Sequence, residues 1–200
     1  MWRKKTLWVG LLALPLALGG VVYHRQLMLW AIQAGNSQDP KAPSIGDKVQ
    51  DFVVADVAGK SWKLSDLQKR TDSGVVSLTF WCTFCHSCRM MDARFQKMAA
   101  DFKDKAAVVG IDASAADTSK KVEDFTRERK FSVPIFIDAD GKAADLFAVR
   151  VTITTVVIDK AGVLRYRGQF GAEGSPHAQN ALRAVLDGKE VAVKETAPAG

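Results

Sequence analysis

Cysteine is scarce in this 200-residue chain, only three residues in all, and so few thiols exclude a small fold stapled by disulfides. Basic residues are not gathered on the bulk of the chain either. Residues 1–35 hold Arg3, Lys4, Lys5 and Arg25 and no acid, which leaves 24 bases against 22 acids in residues 36–200. The net charge of +6 therefore belongs mostly to the N-terminus. A nucleic-acid partner, which needs Lys and Arg clustered on the domain itself, is not expected. A single long apolar run is present, which excludes a polytopic membrane protein. Internal repeats are lacking. With 48% apolar and 25% charged residues, the chain has the composition of an ordinary globular domain, not of a disordered one. Its length suits one such domain with an appendage.

The apolar run lies at the start. Arg3-Lys4-Lys5 precedes Leu7 to Val22, a stretch without charge that is slightly short of the ~20 residues that span a bilayer. No clean small-x-small cleavage site follows; Ala17-Leu18-Gly19 comes nearest. Residues 1–34 are read as a signal anchor and juxtamembrane segment, basic end inside, with the remainder facing the periplasm or cell exterior. The alternative is a cleaved signal peptide and a secreted or periplasmic domain. A buried soluble helix fits poorly with Gly10, Pro15, Gly19 and Gly20 inside the run. Residues 35–47 are polar and turn-rich and read as a linker. Residues 48–188 form the domain, and residues 189–200 read as a frayed, flexible tail.

Within the domain the elements alternate. Phe52 to Val57 and Ser61 to Leu64 flank Ala58-Gly59-Lys60 as a hairpin. Val75 to Trp81 is a continuous β-prone run, the sign of a strand buried on both faces. A helix is expected from about His86 to Phe102, with Met91, Phe95, Met98 and Phe102 at three- and four-residue spacing. Strand 106–111, helix 118–130, strand 133–137, a short helix at 142–148, strands 155–158 and 164–168, and a helix at 176–186 complete the order. That pattern predicts an α/β domain, a mixed central sheet flanked by helices on both faces.

The three cysteines, Cys82, Cys85 and Cys88, fall within seven residues, where the buried strand ends and a helix begins. A thiolate at a helix N-terminus meets unpaired N–H groups and the positive end of the helix dipole. Such sites lower a thiol pKa from ~8.5 into the range ~3.5–7.5. Two intervening residues let the second thiol reach back to the first. Cys85 is thus expected to be the exposed attacking thiol, and Cys88 the shielded one that resolves the mixed disulfide. His86, when protonated, would stabilise the thiolate further. Half of a zinc site is the bland reading of Cys-x-x-Cys, but no second ligand pair exists elsewhere in the chain.

Phe80-Trp81-Cys82-Thr83-Phe84-Cys85-His86-Ser87-Cys88-Arg89 resembles the FWATWCxPCR segment of TlpA/ResA-type membrane-anchored thiol:disulfide oxidoreductases. The similarity runs over roughly Pro43 to Leu186. Pro43-Ser44-Ile45-Gly46-Asp47 with Phe52 resembles that family's entry into an extra N-terminal hairpin, and Ser65-Asp66-Leu67 its exit. Thr154-Thr155-Val156-Val157-Ile158-Asp159 with Gly162 resembles its TTxxID–G segment. The resemblance implies a thioredoxin-like fold with the hairpin extension, protein thiols and disulfides as partners, and no required cofactor. It also implies a substrate groove formed by Trp81, Phe84, Thr152 and Ile153.

Several positions depart from the family pattern. Its cis-proline falls at Ile153, and a cis bond before a non-proline residue costs ~2.5–4 kcal/mol, so a trans bond is expected. Ile153→Pro is then expected to raise exchange and lower metal access. Met91 stands where an acid often follows the second cysteine, with Asp92 beyond it, and Thr79 stands where thioredoxin buries an acid. Asp112 is a weak substitute, more plausibly a strand-terminal turn residue. Cys82 replaces an alanine. It is either a small buried thiol or, with Cys85, Cys88, His86, Met90 and Met91, part of a soft-metal site suited to copper. Cys82-Thr83-Phe84-Cys85-His86 also matches the haem c attachment pattern. Thr79-Phe80-Trp81-Cys82, with Arg150, gives half of a peroxiredoxin-like site.

Overall fold

A computed structural model describes residues 42–172 and 174–197. The chain divides into two units, residues 1–41 and 42–200, and the predicted anchor lies outside the described residues. Among the described residues no helix is long and apolar enough to cross a membrane.

Seven strands form one sheet: β1 (Val53–Asp56), β2 (Ser61–Lys63), β3 (Val76–Trp81), β4 (Ala107–Asp112), β5 (Ile135–Ile137), β6 (Thr154–Ile158) and β7 (Leu164–Gln169), in the order β2-β1-β5-β4-β3-β6-β7. Strands β3, β4 and β5 are parallel, while β1, β6 and β7 pair antiparallel with their neighbours. The sheet is therefore mixed, as the alternation predicts. Five helices accompany it among the described residues: α1 (Leu64–Gln68), α2 (His86–Asp101), α3 (Ser119–Glu128), α4 (Lys142–Leu146) and α5 (His177–Leu186).

β3 and β4 are buried along their whole length, as a run of apolar residues without polar alternation requires. Val76, Leu78 and Phe80 enter one core layer, and Trp81 enters the other. On α2, Cys88, Met91, Phe95 and Met98 are buried. Their three- and four-residue spacing puts them on the face that packs against the sheet. The second cysteine is thereby drawn inside while the first stays at the helix start.

Three boundaries differ from expectation. Leu64 opens a short helix instead of closing β2, because the Asp66 carboxylate accepts the Lys63 N–H at 3.1 Å and turns the chain. The end of the predicted linker belongs to the domain, since the Gly46 N–H donates to the Leu164 carbonyl at 2.8 Å. Residues 189–197 are not frayed. Val191 is buried, the Arg167 N–H donates to the Lys194 carbonyl at 3.1 Å, and Thr196 Oγ1 accepts the Gln169 N–H at 2.7 Å. The outer edge of β7 offers unpaired backbone groups, and this segment satisfies them.

Candidate active site

β3 ends at Trp81, a tight turn carries Cys82 to Cys85, and α2 begins at His86. Cys85 is the N-cap residue of α2, with extended backbone (φ −69°, ψ 116°). Its Sγ accepts the Cys88 N–H at 3.1 Å and lies 3.1 Å from Thr152 Oγ1 on the loop before β6. Burial alone would raise the Cys85 thiol. The Cys88 thiol, the Thr152 hydroxyl and the N–H groups of Cys88 and Ser87 outweigh it and hold the thiol below its ordinary value. The Cys88 thiol is pushed upward, by burial first and then by its hydrogen bond to Cys85. One thiol is thus eased toward ionisation and the other held toward its protonated form. All three cysteines are free.

His86 stands exposed at the first position of α2. The hydrogen bonds that lower Cys85 come from Cys88, Thr152 and Ser87; the sequence had given the protonated imidazole a further share. Phe84, 57% exposed, and Met90, 71% exposed, bring apolar surface to the outside of the turn and α2. Trp81, expected in the groove, is core instead. It stacks on Phe131 at 5.5 Å and donates its indole N–H to Asp92 Oδ1 at 3.2 Å. The strand's alternation turns Trp81 beneath the sheet, and the aromatic cluster there gives it partners.

Thr152 and Ile153 are half-buried, and Cys85 and Ile153 both pack against the same core layer. No cis peptide bond occurs among the described residues, so the Thr152–Ile153 bond is trans. Ile153 has φ +60°, an uncommon conformation for a β-branched residue. Its N–H donates to the Phe80 carbonyl at 2.6 Å, and its carbonyl accepts the Phe170 N–H at 2.9 Å. These two bonds tie the loop to both β3 and the segment after β7. Proline fixes φ near −65° and has no N–H, so Ile153→Pro would lose the bond to Phe80 and force this backbone to rearrange.

Cys82 is buried, and its thiol is pushed up to about 11, first by burial and then by the charges of Cys85, Asp112 and Asp117, against the Cys85 N–H. That is an inert thiol, not a peroxidatic one. Thr79 Oγ1 is engaged with Thr155 Oγ1 at 2.9 Å, and Arg150 is paired with Asp145 at 2.9 Å. The peroxiredoxin-like half motif therefore does not assemble. Haem attachment through Cys82 and Cys85 would need both thiols accessible, and Cys82 is buried in the core. Among the described residues no group of three His, Cys, Asp or Glu side chains is arranged to hold a metal ion.

Of two acids near the turn, the sequence singled out Asp112 only as a weak substitute for a buried acid and did not point to Asp117. Asp117, on the loop after β4, accepts the Thr83 N–H at 2.9 Å and the Thr83 hydroxyl at 2.6 Å, and so holds the turn between Cys82 and Cys85. Asp112 does end a strand in a turn, with Oδ1 accepting the Ser114 N–H at 2.9 Å. Its second oxygen is buried and unpartnered. No spacing rule reveals Asp117, because it meets Thr83 across 34 residues.

A mixed sheet flanked by helices, with a half-exposed thiol capping α2 and a buried thiol one turn inside, defines a dithiol protein of thioredoxin-like fold. The AhpC/TSA family model matches residues 45–167, and the chain belongs to that family. It is 31% identical over 121 residues to the thioredoxin-like protein YneN of Bacillus subtilis, covering 60% of this chain and 68% of that one. It is 28% identical over 134 residues to the thiol-disulfide oxidoreductase ResA of Bacillus cereus, covering 66% and 74%. The crystal structure of SMc02350 from Sinorhizobium meliloti 1021 superposes with a TM-score of 0.70 at 23% identity, over 80% of this chain and 93% of that chain. Relatives of this chain are thus thiol-disulfide oxidoreductases with a thioredoxin-like fold.

Proposed function

We propose that this chain is an extracytoplasmic thiol–disulfide oxidoreductase that acts on protein thiols and disulfides through Cys85 and Cys88. The observation that carries the reading is the Cys85 Sγ at the start of α2, accepting the Cys88 N–H and facing Thr152 Oγ1. The ResA relative, named for the same chemistry, supports it. The membrane anchor over residues 1–34 belongs to this proposal and rests on the sequence pattern alone.

In the reducing direction the Cys85 thiolate attacks one sulfur of a substrate disulfide. The substrate S–S bond breaks, a Cys85–substrate bond forms, and the displaced substrate sulfur leaves as a thiolate. Cys88 then gives up its proton and attacks Cys85 Sγ. The mixed bond breaks, the second substrate thiol is released, and two electrons have passed from Cys85 and Cys88 to the substrate. The reverse sequence oxidises a substrate dithiol. Exposed Phe84 and Met90 supply apolar contact for a protein segment, and His86, exposed beside the nucleophile, adds positive charge there when protonated.

Trapping tests the assignment. Cys88→Ser should accumulate a dithiothreitol-sensitive mixed disulfide between Cys85 and protein partners, and Cys85→Ser should accumulate none. First alkylation at Cys82 instead would overturn the reading.

A further inference from the structure

Ile153 stands next to Thr152 in a left-handed conformation, φ +60°, that β-branched residues rarely adopt. Such a backbone persists only where its surroundings over-determine it. Two hydrogen bonds do so here. The Ile153 N–H donates to the Phe80 carbonyl of β3 at 2.6 Å, and the Ile153 carbonyl accepts the Phe170 N–H at 2.9 Å. The first anchor lies inside the sheet. The second lies on the segment after β7, which steadies Ile153 only if it is itself held.

α2 holds that segment at two adjacent residues. The Phe95 ring meets the Phe170 ring edge-on, with centroids 5.6 Å apart. Arg94, half-buried, donates from Nη1 to the Gly171 carbonyl at 2.8 Å, across 77 residues of chain. Gly171 has φ +101°. A Cβ there would press on the Ser175 carbonyl and approach the His177 N at 2.6 Å. Only glycine fits so tight a turn, and Arg94 takes its carbonyl.

We propose that Arg94 is a positioning residue for the nucleophile: by fixing Gly171 and Phe170 it steadies Ile153, and so keeps the Thr152 hydroxyl 3.1 Å from Cys85 Sγ. The helix that begins beside the nucleophile thus carries, two and a half turns further on, the cation that secures the nucleophile's own hydrogen-bond partner. A guanidinium suits the task. Its bond to a carbonyl is charge-assisted and stronger than a neutral one, and it stays protonated at every pH at which a thiol ionises. The grip is therefore constant while Cys85 titrates. The Thr152 hydroxyl is one of the groups that hold Cys85 below its ordinary value, so a loosened loop should let that value rise. A role through Thr152 differs from a role through charge. A positive charge acting across space would act with or without the hydroxyl, and it would fade in salt.

The inference rests on Cys85 as the attacking thiol. In the full-length chain, Arg94→Met keeps the apolar stem and removes the donors. The pH dependence of iodoacetamide labelling at Cys85, with the site read by mass spectrometry, should shift upward in Arg94→Met, in the direction of Thr152→Val and by no more. Adding Arg94→Met to Thr152→Val should move the midpoint no further, because both changes act on one hydroxyl. Hydrogen exchange at the Phe170 amide should accelerate in Arg94→Met while the β3 amides stay protected. An unmoved midpoint, or a shift that persists in full on the Thr152→Val background, overturns the proposal. Should Arg94→Met not fold, Arg94→Gln, whose shorter side chain falls short of the carbonyl, takes its place with the same two outcomes. Failure of the dithiol assignment would show instead as first labelling at Cys82 or Cys88 in the unsubstituted chain, with Phe170 exchange still raised in Arg94→Met.

Discussion

Thr152 Oγ1 lies 3.1 Å from Cys85 Sγ, so a hydroxyl from the loop before β6 sits against a sulfur 67 residues earlier in the chain. It is a neutral group, and it lowers the thiol by donating to the charged form. Thr152→Val keeps the shape and removes the donor. The Cys85 pKa should rise, because the charged form loses a hydrogen bond that the neutral thiol needs less. His86→Ala should move it less. The pH dependence of iodoacetamide labelling distinguishes the two, and the opposite ranking would make His86 the stronger influence.

Ile153 holds a backbone that proline cannot adopt. Ile153→Pro loses the bond to the Phe80 carbonyl and forces the loop out of its left-handed conformation. Hydrogen-bond loss and rearrangement together should cost about 2–4 kcal/mol. Ile153→Gly relieves the strain of φ +60° and should cost less, despite the lost side chain. Urea unfolding of the two variants gives the order. Equal stability would mean that the loop adapts freely.

Asp112 ties stability to pH. Its folded-state value is pushed up to about 7 from an ordinary 3.8, so between these limits the folded chain binds a proton that the unfolded chain has lost. Stability must then fall as pH rises from about 4 to 7 and become flat in this group's contribution above that. Asp112→Asn should remove that slope and exceed wild type at pH 8 by on the order of 3 kcal/mol. Parallel pH–stability curves for the two chains would refute the expectation.

The tail beside β7 depends on a missing side chain. A Cβ on Gly168 would approach the Thr196 N at 2.8 Å and press on Thr196 Oγ1. Gly168→Ala should therefore push residues 191–197 off the strand edge, at about 1–3 kcal/mol for the overpacked contact. Hydrogen exchange at Thr196 and Arg167, whose amides bond across this seam, should accelerate while β3 and β4 stay protected. Unchanged exchange at Thr196 would show that the edge adapts.

Local pattern determined much of this protein. The unbroken apolar run of β3, the helical spacing on α2 and the Cys-x-x-Cys between them place a thiol at a helix N-terminus, because strand and helix periodicities are properties of neighbouring residues. The same pattern separates a half-exposed Cys85 from a buried Cys88. Only the tertiary structure decided what surrounds those sulfurs. Trp81 went to the core because aromatic partners from α3 and Phe131 wait there. Thr152 reached Cys85 because β6 lies beside β3 in the sheet. Asp117 reached Thr83 by a loop contact across 34 residues. Residues 191–197 were ordered by an open strand edge that no local composition announces. Hydrogen bonds and desolvation depend on distances in space, and chain separation carries almost no information about them. The sequence therefore determined where the chemistry lies, and the packing decided which groups tune it.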